Sequence, residues 1–138
     1  MNFTLYADGG SRGNPGPAGA GALVRDESGN TVIEVSEFLG HATNNVAEYT
    51  AVLRALEVLS EELGPNAKDA EIMVRMDSML VVRQMMKQWK LKHIGLKPLA
   101  ARVEELMSNF KSVTFEHVYR DDNADADRLA NRAMDKGH

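Results

Sequence analysis

Residues 2–8 alternate Phe3, Leu5 and Ala7 with Thr4, Tyr6 and Asp8, the two-residue period of a strand with one buried face. Gly9-Gly-Ser-Arg-Gly-Asn-Pro-Gly-Pro17 then reads as a break in regular structure. Strands are expected over about residues 19–26 and 31–39, joined by the turn Asp26-Glu-Ser-Gly-Asn30. So short a connection pairs them as an antiparallel hairpin. Residues 45–63 carry the apolar stripe of the longest helix, with Asn45-x-x-Glu48 as a possible capping box and Gly64-Pro65 as the stop. A fourth strand over 70–77 and a helix over 79–88 follow. After a loop over 89–97, Pro98 starts a helix that runs to about Phe110. A fifth strand over 112–119 and a closing helix over 123–136 complete the pattern. This order implies an α/β domain in which a hairpin is attached to a parallel portion of the sheet.

No repeat, low-complexity tract or linker divides residues 1–138, so one domain is expected. The chain is 43% hydrophobic and 26% charged, enough to build a core without covalent staples. The absence of cysteine excludes disulfides, zinc–thiolate sites and thiol nucleophiles. Neither a leader-like segment nor a long apolar run is visible, and the expectation is a cytoplasmic protein with no membrane partner. The net charge of -4 argues mildly against a polyanionic ligand. Its distribution says otherwise: residues 78–102 hold no acid, while Arg83, Lys87, Lys90, Lys92, Lys97 and Arg102 all fall there.

Four acids stand where chemistry could use them. Asp8 ends the first expected strand and Asp77 the fourth, and ligands of open α/β sheets bind beyond the carboxyl ends of strands. Each also fits as a turn or helix-cap residue. Glu48 shares a helix face with Val52, Ala55 and Leu59, so its carboxylate points toward the sheet, a direction that capping alone does not require. Asp127 lies one turn into the last helix, an ordinary place for an acid beside the helix dipole. If the four converge, their repulsion demands a cation, and oxygen ligands select Mg²⁺ or Mn²⁺. His41, His93 and the terminal His138 add little, and Met73, Met85 and Met107 fall at core spacings.

The segments Tyr6-Ala-Asp-Gly-Gly-Ser11, Thr43-Asn-Asn-x-Ala-Glu48, Met76-Asp-Ser78 and Asn123-x-x-Ala-Asp127-x-Leu-Ala-Asn131 resemble those of type 1 ribonuclease H. The likeness runs over essentially the whole chain. It implies a five-stranded mixed sheet, its first three strands antiparallel, with helices on both faces. It also implies hydrolysis of the RNA strand of RNA–DNA hybrids to 5′-phosphate and 3′-hydroxyl ends. Asp8, Glu48, Asp77 and Asp127 would then form a site for two Mg²⁺ ions, with Mn²⁺ as a possible substitute. On this reading Asp8 and Asp77 are central to both ions, and Glu48 and Asp127 complete one shell each. Gly9, Gly10, Ser11, Arg12, Asn14, Asn44, Asn45 and Ser78 match substrate-contact positions, in line with readout of ribose hydroxyls across a minor groove. Turn geometry and helix capping are competing uses for Gly9, Gly10, Asn14 and Asn44.

Two departures stand out. Many family members carry a mobile histidine loop before the last helix. Counting back from Asn123 assigns that role to His117, whereas counting forward places His117 within the fifth strand and Arg120 at the loop position. The second framing is preferred, with Arg120 as a catalytic candidate that holds a phosphate or assists proton movement, although a guanidinium does not titrate usefully. Longer members also insert a basic helix. This chain keeps only Trp89, Lys90, Lys92, His93 and Lys97, read either as a backbone-tracking surface or as a solvated loop with Trp89 tucked into the core. The expectation is a monomeric hybrid-cutting enzyme. A hybrid-binding module without activity and another nuclease of the same superfamily are the competing readings.

Overall fold

The structure is a computed structural model that describes residues 1–137; His138 lies outside the described residues. Five strands form one mixed sheet in the order β3-β2-β1-β4-β5. They are β1 (Asn2–Ser11), β2 (Gly16–Arg25), β3 (Thr31–Ala42), β4 (Glu71–Met76) and β5 (Ser112–His117). The pairs β1–β2 and β2–β3 are antiparallel, whereas β1–β4 and β4–β5 are parallel. Helices α1 (Asn44–Leu63), α2 (Met79–Met85) and α3 (Lys97–Met107) accompany one face. Helix α4 (Ala124–Lys136) covers the other, burying Ala126 and Leu129 against Leu23. The expected ribonuclease H-like α/β sheet is the fold observed.

Small residues explain how closely the layers approach. Strand β2 is Gly-Pro-Ala-Gly-Ala-Gly-Ala-Leu-Val-Arg and is buried over nearly its whole length, because α1 lies on one side of it and α4 on the other. A Cβ on Gly21 would stand 2.3 Å from the backbone nitrogen of Ala130. A Cβ on Gly9 would stand 2.3 Å from the backbone carbon of Ala47. Both positions exist as glycine to admit a helix backbone.

That packing corrects the expected break after residue 8. Gly9, Gly10 and Ser11 continue β1, paired with Ala20, Gly19 and Ala18, and only residues 12–15 turn. The glycines suggested a loop, but they serve close approach to a helix within a strand. The helix cap is corrected too: Thr43, not Asn45, caps α1, its Oγ1 accepting from the Val46 N–H at 3.2 Å. Glu48 is thereby relieved of a capping role. Helix α2 stops at Met85 rather than 88, α3 at Met107 rather than 110, and β5 at His117 rather than 119. Two short 3-10 turns, Gly64–Asp69 and Arg120–Asn123, take the place of a plain stop and of the first turn of the closing helix. Among the described residues, no helix is long and apolar enough to cross a membrane.

Candidate active site

Parallel pairing sets two acids side by side. Tyr6 lies opposite Arg75 in the β1–β4 register, so Asp8 and Asp77 each follow two residues further along neighbouring chains. Glu48 arrives from the start of the second turn of α1, just after the chain crosses Gly9, and Asp127 from the first turn of α4, seated on Gly21. All four line one cleft of about 390 Å³ at the carboxyl end of β1 and β4. Arg12, Asn44, Arg120, Asn131 and Met134 share its walls.

The concentration of negative charge shows in the titration of these groups. Asp8, 9% exposed, is pushed up to about 8, first by burial, then by the charge of Asp77 and by the neighbouring Asp127 carboxyl. The Gly9 N–H, donating to Asp8 Oδ1 at 2.9 Å, only partly offsets this. Glu48 rises to about 7, mainly through burial, while the Ser78 hydroxyl pulls it back and Asp77 pushes it up. Carboxyls that hold protons near neutrality lack a compensating charge, and a hard divalent cation supplies it through an all-oxygen ligand set. The residues fit such an ion by chemistry, although among the described residues no three His, Cys, Asp or Glu side chains are already drawn together as a cage.

Asn123 is a part of this site that sequence reasoning overlooked. It is 2% exposed, and its Nδ2 donates both to the Ala7 carbonyl at 2.9 Å and to Asp77 Oδ1 at 3.2 Å. One amide therefore ties the backbone just before Asp8 to the Asp77 carboxylate, while its Oδ1 has no hydrogen-bond partner. The available signal was its place in the Asn123-x-x-Ala-Asp127 segment. Asn131 and Met134 were also overlooked as cleft walls; they follow Asp127 by one and two helical turns.

The remaining candidate residues separate into three groups. Gly9, Gly10, Ser11, Arg12 and Asn44 line the cleft. Asn44 is locked in place, its Oδ1 accepting from the Ser11 N–H at 2.7 Å and its N–H donating to Asn14 Oδ1 at 3.0 Å. Asn45 and Ser78 are outside the cleft lining, and Ser78 is buried behind Glu48, where it caps α2. Trp89, Lys90, Lys92 and Lys97 stand on a separate surface. Trp89 is 48% exposed and edges a hollow between α2 and α3, so it is not tucked into the core. Two cations of that basic strip are engaged internally, Lys87 by Glu104 and Arg102 by Glu57 and Glu105. His117 ends β5 with its ring edge-on to Tyr119, 5.8 Å between centroids, and does not reach the cleft that Arg120 lines.

Comparison with known proteins agrees with the fold. The family described as reverse transcriptase-like matches residues 6–133. The chain is 47% identical over 136 residues to the bifunctional protein Rv2228c of Mycobacterium tuberculosis, an alignment covering 98% of this chain and 36% of that protein. It thus spans little more than a third of that relative. The crystal structure of LC11-RNase H1 in complex with an RNA/DNA hybrid is similar with a TM-score of 0.92 and 47% identity, covering 97% of each chain. That of RNase H1 from the halophilic archaeon Halobacterium salinarum NRC-1 has a TM-score of 0.90 and 38% identity, covering 99% of each chain.

Proposed function

The chain belongs to the type 1 ribonuclease H family, and from that membership we propose that it hydrolyses the RNA strand of RNA–DNA hybrids, leaving 5′-phosphate and 3′-hydroxyl ends. The observation that carries the reading is the convergence of Asp8, Glu48, Asp77 and Asp127 on one cleft, with Asp8 and Glu48 shifted upward by burial and by the neighbouring carboxylates.

When bound, two Mg²⁺ ions, or Mn²⁺ in their place, supply activation of water and stabilisation of the departing oxygen. Asp8, Glu48, Asp77 and Asp127 would hold them, with Asp8 and Asp77 as the central ligands. Asn123 holds Asp77 in orientation through its amide donor. The locked Asn44 and the backbone of Gly9 and Gly10 face the duplex, where ribose hydroxyls distinguish RNA from DNA. Arg12 and Arg120 hold phosphates. Arg120 does so as a fixed cation, since a guanidinium cannot relay protons at neutral pH.

Incubation of a labelled hybrid with Mg²⁺, Mn²⁺ or EDTA, beside matched duplex DNA and duplex RNA, tests the proposal. The expected result is metal-dependent cutting of the RNA strand in the hybrid alone. Binding without cleavage in either metal would leave only a hybrid-binding module, and equal cutting of duplex DNA would point to another nuclease activity.

Lys90, Lys92 and Lys97 make no ion pair among the described residues and stand on a surface apart from the cleft. Replacing all three with alanine should weaken hybrid binding in 50 mM salt and reduce the salt slope by about two to three. Wild-type affinity that is the same in 50 and 200 mM salt would exclude this strip as a phosphate-contact surface.

A further inference from the structure

Arg12 and Asp135 meet at one rim of the cleft, the guanidinium Nη2 donating to Asp135 Oδ1 at 2.7 Å. They come from opposite ends of the chain, Arg12 from the β1–β2 turn and Asp135 from the last turn of α4. The turn is braced. The Arg12 N–H donates to the Pro17 carbonyl at 2.9 Å, and Asn14 accepts from the Asn44 N–H at 3.0 Å. Arg12 therefore projects into the cleft from a fixed backbone.

Its contact with Asp135 runs through a single nitrogen, and the two side chains are 48% and 68% exposed. A guanidinium offers five donors in a planar fork that matches phosphate, so a phosphate can take over the nitrogen that Asp135 holds. Asp135, for its part, sits in the last helical turn, where an acid opposes the helix dipole. Helix stability gives no reason for a carboxylate there; the reason visible in the structure is Arg12.

We propose that Asp135 is an internal stand-in for a nucleic-acid phosphate. It occupies Arg12 in the free protein, gives that cation up when a strand enters the cleft, and so sets substrate affinity. The inference rests on the hybrid-cleaving reading above and adds a residue that tunes it. Two effects act in the same direction. The ion pair must be exchanged, and after the exchange Asp135 remains close to the incoming phosphate as a like charge. Both are modest because the pair faces water.

Asp135→Asn keeps the shape and removes the competitor. It should lower KM, and the Kd for hybrid measured in EDTA, by about two- to fivefold, the range of an exposed ion pair, with the effect on KM rather than kcat. The salt slope of binding should steepen by up to about one, because no freed carboxylate then takes up a cation from solution. In an Arg12→Ala background the same substitution should give a smaller gain, the part that comes from removing the like charge alone. Melting curves of each variant confirm that the fold is retained.

An unchanged Kd in Asp135→Asn, or an equal gain with and without Arg12, overturns the proposal. A raised Kd does so as well, since it would mean that Asp135 orients Arg12 for its ligand. Because Kd is read in EDTA, these outcomes are independent of whether the wild-type protein cleaves the hybrid, which is the separate test of the function.

Discussion

Asp8→Asn is expected to lower kcat for hybrid cleavage by about 10³-fold or more while raising the melting temperature of the metal-free protein at pH 8 by roughly 5–10 °C. The loss follows from removing a ligand central to the proposed metal site. The gain follows from the upward displacement of the Asp8 carboxyl from 3.8 to about 8 by burial and by Asp77 and Asp127. Between those values the unfolded chain has released a proton that the native state keeps, so stability falls as pH rises through the window. Below about pH 4 both states are protonated and the penalty vanishes. Asparagine stays neutral at every pH, so the difference between variant and wild type should shrink steadily from pH 8 toward pH 4. Thermal melts in EDTA across that range provide the check. A lower melting temperature for the variant at pH 8 would make Asp8 a structural residue. Magnesium should stabilise the wild type more at pH 8 than at pH 6, because the ion displaces the retained protons.

Gly21→Ala is expected to destabilise the fold by about 3 kcal/mol, a fall of roughly 10 °C in melting temperature. The added Cβ would stand 2.3 Å from the nitrogen of Ala130 and 2.4 Å from the carbonyl oxygen of Ala126. Both are backbone atoms of α4, so no side-chain rotation relieves the clash and the helix must move. Gly21 is also the residue paired with Asp8 across β1 and β2, and α4 carries Asp127. The displacement therefore separates two of the four acids, and the folded fraction should need more Mg²⁺ for half-maximal cleavage. An unchanged melting temperature together with an unchanged Mg²⁺ requirement would refute the proposed link between helix packing and the site.

Much of this arrangement was readable along the chain because it rests on local chemistry. The alternation at residues 2–8, the stripe on residues 45–63 and the Gly64-Pro65 stop each act within a few residues, and each marks an element that forms. Errors arose where one residue type serves two purposes. Gly9 and Gly10 have the composition of a loop but lie in a strand, because their missing side chains make room for Ala47 of α1 and Met134 of α4. Thr43 and Asn45 can both cap a helix, and the side-chain hydrogen bond to Val46 decides for Thr43.

The acids were recognisable by type, by their places on the expected strands and helices and by likeness to a known pattern. Their meeting in one cleft depends on strand order, on the parallel register that sets Asp8 beside Asp77, and on glycines that bring α1 and α4 close to the sheet. The tie from Asn123 to Asp77 spans 46 positions, and the pair of Arg12 with Asp135 spans 123. Periodicity and capping carry no information over such separations. Contacts of this kind form only when the layers close, since burial and packing between distant segments, rather than local preference, choose which groups become neighbours.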